Sequence, residues 1–221
     1  EGMARNLAEK LESMSGYRHA FPLHSPQAHL NPVNHSHLLV RVGGRRYHVL
    51  SRIADAGADY TQRSNILAHH VALDESELIS AGPASVMATP GFCETVWDGP
   101  PQILPAGRQP KGFPVPIGVC ESWKAAAGDA GWAGVVAEHV LKNAKQPISV
   151  IFPPEIDTFR LLVEVFGLLP QERHWSVTFS TYYTKLPAGF ECQLRFVLDG
   201  TKEATALRRR PRPSPLLLAP A

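Results

Sequence analysis

Histidines carry the densest concentration of chemistry in this chain. All but two of the ten, His139 and His174, lie at or before His70. His35, His37 and His48 are spaced so that three imidazoles can share one face of a β-hairpin, a donor type that holds transition metals. Arg41, Arg46 and Arg52 share that face, however, and cations repel a metal ion. No nearby carboxylate or cysteine completes the set. The face therefore reads as a solvated or partner-facing surface, with a metal site as the less favoured alternative.

The richest polar run is Asp59-Tyr-Thr-Gln-Arg-Ser-Asn-Ile-Leu-Ala-His-His70. Tyr60, Arg63, Asn65, His69 and His70 are the residue types that converge on an anion, and a histidine there can serve as a general base. The plainer reading is that Arg63 and Asn65 tie down a loop while one histidine is a satisfied core residue, since buried polar groups are normally paired. For nucleophilic catalysis the chain offers Cys93, Cys120 and Cys192. Cys192 falls on an apolar strand face, and nothing near Cys93 marks it as an activated thiolate. No Gly-x-Ser-x-Gly, phosphate-binding loop, HExxH or dinucleotide fingerprint occurs. The sequence thus favours a binding protein over an enzyme and implies no cofactor.

These residues must be positioned by elements that the hydrophobic pattern makes visible. Met3 to Met14 places Leu7, Leu11 and Met14 on one helical face, and Gly16 stops the helix. Two runs, residues 37–42 and 45–50, flank Gly43-Gly44, the two-residue loop of a primed hairpin turn. That turn pairs Val42 with Arg45 and Leu39 with His48. Leu38, Val40, Val42, Tyr47 and Val49 then form the expected core face, leaving the His/Arg face outside. Ser64 to Leu73 reads as a short buried strand or turn of helix bearing His69 and His70. Residues 83–116, rich in Pro and Gly, read as an extended loop packed on the domain, with a candidate strand at Cys93 to Trp97. Trp132, Val135, Val136, His139 and Val140 form an inward helical stripe. Ile148 to Phe152 has the continuous apolar run of a buried strand, and a helix follows Pro153-Pro154. Residues 175–184 and 190–199 alternate in polarity and predict a second antiparallel hairpin.

Helix, strand, helix and hairpin in that order predict an α+β fold, with antiparallel hairpins and a central sheet packed with a few helices. The pattern bounds one domain at residues 1–200, followed by a flexible, basic, Pro-rich tail at 201–221. The Arg208-Arg-Arg-Pro-Arg-Pro213 cluster in that tail reads as disordered rather than as a nucleic-acid or membrane contact. A chain of 221 residues, 44% hydrophobic and 19% charged, is long enough to bury a real core. Its net charge of +2 gives no field for nucleic acid. No run approaches the roughly 20 apolar residues of a membrane span. Three widely spaced cysteines fit a reducing, cytoplasmic setting better than a disulfide framework. The start at Glu1 reads as a piece of a longer polypeptide.

Several segments together resemble a bacterial family. They are Leu-Glu-Ser-Met-Ser-Gly-Tyr17, Tyr-His-Val-Leu-Ser-Arg-Ile-Ala-Asp55, Asp-Tyr-Thr-x-Arg-Ser-Asn-x-x-Ala-His-His70, Gly-Asp-Ala-Gly-Trp-Ala-Gly134 and Trp-Ser-Val-Thr-Phe-Ser-Thr-Tyr182. Over roughly residues 3–200 the chain is similar to the N-terminal domain, type 2, of GTPase-associated protein 1, abundant in planctomycetes. The resemblance implies an adaptor-like module in a GTPase-centred conflict or signalling system, with a GTPase or an associated effector as protein partner. It also implies a segment before the first helix that is missing here. It supplies no catalytic residues. The expected partner-binding surface is Tyr60, Arg63, Asn65, His69 and His70 together with His37 and His48 on the hairpin. The alternative is a small-molecule or nucleotide-handling enzyme using His69 or His70 as base, with Arg63 binding an anionic group.

Overall fold

The computed structural model describes residues 3–100, 102–103, 107–116, 118–209 and 215–218. Helix α1 (Arg5–Ser13) buries Leu7 and Leu11. Strands β1 (Asn34–Val42), β2 (Arg45–Ala58) and β3 (Ser64–Leu73) form an antiparallel meander. Gly43 and Gly44 both take positive φ at the first turn, as a primed two-residue loop requires. The resulting register pairs Val42 with Arg45 and Leu39 with His48, as the turn predicts.

Short helices α2 (Gly82–Ala88), α3 (Glu121–Ala127) and α4 (Gly131–Lys142) follow, then β4 (Ile148–Phe152), buried along its whole length. Helix α5 (Thr158–Leu168) begins where the Asp157 carboxylate accepts from the amides of Phe159 and Arg160, satisfying donors that no helical turn can reach. A 3₁₀ segment (Gln171–Ser176) leads into β5 (Phe179–Ser180), and β6 (Leu194–Leu198), α6 (Lys202–Arg208) and β7 (Leu216–Leu217) complete the chain. All seven strands lie in one sheet of order β3-β2-β1-β5-β6-β4-β7. The meander and β5 are antiparallel; β5, β6, β4 and β7 are parallel. The fold is α+β.

Helices cover both faces of the sheet. The larger core joins Leu50, Val71 and Leu73 to Trp123 of α3, Val136 of α4, Leu162 and Val165 of α5, and Phe179 and Phe196. Trp123 is completely buried and donates its indole N–H to the Leu161 carbonyl at 2.9 Å. On the other face Leu7, Leu11 and Met14 pack on Leu38, Val40, Val49 and Cys192, and Ala204 of α6 packs on Ile151 and Val197.

Several expectations are corrected. The segment 175–199 is not an antiparallel hairpin, because β5 is only two residues long and pairs parallel with β6. The intervening chain is about a dozen residues, long enough to return to the same end of the sheet. Residues beyond 200 are not simply a tail: α6 starts at a Thr201 cap, and β7 pairs with β4. Of the basic cluster, Arg210 to Pro213 lies outside the described residues. In α4 the inward face is Ala133, Val136, Ala137 and Val140, whereas Trp132 and Val135 are exposed. Small alanines let α4 approach its neighbours closely, which displaces the bulkier stripe outward. No strand forms at Cys93 to Trp97. That region is nevertheless tied down, since Thr89 Oγ1 donates to the Lys111 carbonyl at 3.0 Å and Arg108 to the Phe92 carbonyl at 2.7 Å.

Candidate partner-binding site

The polar residues singled out from sequence separate into three environments. His37 and His48 lie inside the molecule, at 0% and 4% exposure. They do not sit on a partner-facing surface, because around them the supposed outer face of the first hairpin is covered by Trp175 and the main core, while Arg41 and Arg46 nearer the turn stay exposed. The backbone carbonyl of Val177 can only accept, so His37 Nδ1 donates to it at 2.7 Å. The neutral ring then offers Nε2 as an acceptor, and His48 Nδ1 donates to it at 3.0 Å. The two rings stack at 9° while Trp175 packs edge-on against both. Burial pushes the His37 pKa down to about 3 and lowers that of His48. His35 stacks on Phe159 with centroids 4.2 Å apart, its pKa held near 4 by burial and by Arg52. Among the described residues no group of three His, Cys, Asp or Glu side chains is arranged to hold a metal.

His69 and His70 are half-buried neighbours on β3, so the pleat sends their rings to opposite faces. His69 Nδ1 accepts from the Glu94 amide at 3.4 Å. His70 sits between two hydroxyls, Ser15 Oγ at 2.9 Å from Nε2 and Ser51 Oγ at 2.7 Å from Nδ1. A serine beside a histidine suggests a nucleophile and its base. Here the group behind the imidazole is a neutral hydroxyl rather than a carboxylate, so nothing stabilises the imidazolium. Burial moreover pushes the His70 pKa to about 4, far below that of an efficient base near neutral pH. The thiols are similarly unactivated: burial raises Cys93 to about 11 and Cys192 to about 12.

Tyr60, Arg63 and Asn65 occupy the third environment, the tip of the β2–β3 hairpin. The tip is built around Asp59. One carboxylate oxygen accepts from the Thr61 amide at 2.7 Å, the Thr61 hydroxyl at 2.7 Å and the Arg63 amide at 3.0 Å. These bonds hold the Asp59 pKa below the ordinary carboxylate range, the Thr61 hydroxyl contributing most. Gln62 adopts a positive φ of 63°, the one non-glycine residue to do so among the described residues. The Asp59 amide closes the loop onto the Arg63 carbonyl at 2.9 Å. Below the tip, Gly57 donates to the Asp55 carboxylate at 2.8 Å where the strand register shifts, a bulge that twists the hairpin end. Tyr60 is 97% exposed on this organised turn. Arg63 stands beside it, and its guanidinium has no hydrogen-bond partner among the described residues. Sequence reasoning passed over Asp59 as the organiser, although Asp-x-Thr is a signal for a side-chain-closed turn.

Comparison with known proteins defines the class and then the modules. The chain belongs to the GTPase-associated protein 1 family. The model of GTPase-associated protein 1, N-terminal domain type 2, matches residues 1–110, and that of the GTPase-associated protein 1 middle domain matches residues 120–213. The motifs from Gly128 onward therefore fall in the middle domain. No curated protein and no solved structure matches the chain significantly. Both matched segments contribute to one sheet: β1, β2 and β3 come from the first, and β5 of the second pairs directly with β1. No helix among the described residues is long and apolar enough to cross a membrane.

Proposed function

We propose that this chain is a non-enzymatic adaptor that docks a protein partner, a GTPase or an associated effector of a bacterial system, through the tip of the β2–β3 hairpin. The observation that carries this reading is Tyr60, almost fully exposed on a turn that Asp59 closes with three hydrogen bonds. An exposed aromatic normally loses side-chain freedom on binding, and a preorganised turn reduces the accompanying backbone cost. Tyrosine and arginine are also the residue types enriched at energetic centres of interfaces. His69 and His70 lie farther down β3, opposite Arg52 and Ser51, and are not part of the tip. The family name favours a GTPase as partner.

The enzyme alternative requires His69 or His70 to act with Arg63 on one substrate. The two imidazoles point to opposite faces of the sheet, and burial lowers the pKa of both, which makes each a weaker base. Neither observation supports that reading. We therefore propose the cytoplasmic, partner-binding reading rather than the enzymatic one.

The test is to purify the full-length protein from its native host, as wild type and as Tyr60→Ala/Arg63→Ala, and to compare co-eluting proteins by mass spectrometry. A GTPase retained by the wild type and lost from the variant, at unchanged melting temperature, is the expected result. Equal retention by both would refute the tip as the docking site.

A further inference from the structure

A second site lies on the opposite side of the sheet from the main core. A cavity of about 440 Å³ opens beside the C-terminal end of β5, between the end of α1, strand β1 and the loop that follows Tyr182. Its size is within the usual range for a small-molecule site. It also sits where the antiparallel half of the sheet meets the parallel half, the kind of topological junction at which ligands collect beyond strand ends.

The cavity floor presents donors. Asn34 Oδ1 is fully engaged, accepting from Ser180 Oγ at 2.9 Å and from the Tyr182 amide at 3.2 Å. Those two donors fix the orientation of the amide; Asn34 lines the cavity, and its Nδ2, with two N–H groups, makes no hydrogen bond among the described residues. Ser36 lies opposite Ser180 in the β1–β5 register. It is 4% exposed, lines the cavity, and makes no side-chain hydrogen bond among the described residues. Its Oγ is not one of the buried polar atoms left without a partner, so the hydroxyl is accessible where the residue lines the cavity. Lys185, exposed at the rim, is the single charged residue of the lining. Met14 and Leu38, both buried, supply an apolar wall.

We propose that this cavity binds a small carboxylic acid with a short apolar body. The carboxylate takes hydrogen bonds from Asn34 Nδ2 and Ser36 Oγ, Lys185 supplies the counter-charge, and the body packs on Met14 and Leu38. A phosphate-rich ligand such as a nucleotide fits poorly. The lining offers one flexible cation and no arginine, whereas polyphosphates call for several charges or bidentate forks. A neutral apolar ligand would leave the Ser36 and Asn34 donors unpaired.

The probes are hexanoate and phenylacetate, with hexanamide and inorganic phosphate as controls, titrated into the purified chain and followed by amide and side-chain NMR shifts. The expected result is saturable shifts at Asn34, Ser36 and Leu38 with the acids, and binding of hexanamide and phosphate weaker by roughly tenfold or more. Ser36→Ala and Lys185→Met should each weaken hexanoate by about tenfold, the usual scale for one charge-assisted hydrogen bond or ion pair. Because Ser36 Oγ bonds nothing in the protein, Ser36→Ala should leave the melting temperature unchanged or slightly higher. Absence of saturable shifts, equal binding of acid and amide, phosphate binding as tight as hexanoate, or a lower melting temperature for Ser36→Ala would overturn the proposal.

Discussion

Lowering the pH from 7 to 5 should destabilise this protein through histidines that the fold keeps neutral. His37 is the clearest case. It is enclosed by the Val177 carbonyl, His48 Nδ1 and the rings of Trp175 and Phe179, with Arg46 and Glu75 flanking His48. Its pKa is about 3 in the folded chain, against an ordinary value near 6.5 when unfolded. Above pH 6.5 both states are neutral and the residue adds no pH dependence. Below it the unfolded chain takes up a proton that the native chain refuses, so stability falls until the pH reaches about 3. The limiting slope is about 1.4 kcal/mol per pH unit per histidine, and the loss between pH 7 and 5 is ~2 kcal/mol for His37 alone. His35 and His70, each near 4, act with the same sign. Carboxylates titrate below this window, so it isolates the histidines. Urea denaturation at fixed ionic strength across pH 7 to 5 gives the slope directly. His37→Gln should reduce it by about one histidine's share. A stability that is flat from pH 7 to 5, or a slope unaltered in His37→Gln, would refute the buried, neutral assignment.

Three further outcomes follow from local geometry. Gly82 has a φ of +78°, and a Cβ there would lie 2.5 Å from His174 Cβ, so Gly82→Ala should cost ~2–4 kcal/mol by combined strain and overpacking, read from the urea midpoint. The Glu164 carboxylate accepts from the Ser122 and Trp123 amides at 2.9 and 3.1 Å, capping α3 from a neighbouring helix; Glu164→Ala should lose ~1–3 kcal/mol in the same assay. With its thiol raised to about 11, Cys93 should react with iodoacetamide at pH 8 on the order of 100-fold more slowly than a free cysteine, and labelling at the free-cysteine rate would contradict that burial.

Local pattern was legible wherever one period dominated. The Gly43-Gly44 turn set the first hairpin register, and Ile148 to Phe152 read directly as a buried strand. The role of the His/Arg face was not legible. Alternation shows which side chains share a face but cannot show that both faces are covered, and the cover over His37 and His48 comes from Trp175, far along the chain. The segment 175–199 misled for a related reason: its alternation is real, but the short β5 and the long return loop place it parallel to β6. The candidate tip was named by Tyr60, Arg63 and Asn65, while its organiser, Asp59, and the serine-lined cavity depend on contacts between distant segments that no spacing rule reveals.

The most direct test of the adaptor account is photo-crosslinking from the hairpin tip. Tyr60 is replaced by p-benzoylphenylalanine in the full-length protein expressed in its native host, with Phe113, also exposed, as the control position. The account predicts crosslinks from position 60 to a GTPase or an associated effector, abolished by Arg63→Ala. Crosslinks to such a protein from position 113 but none from position 60 would contradict it.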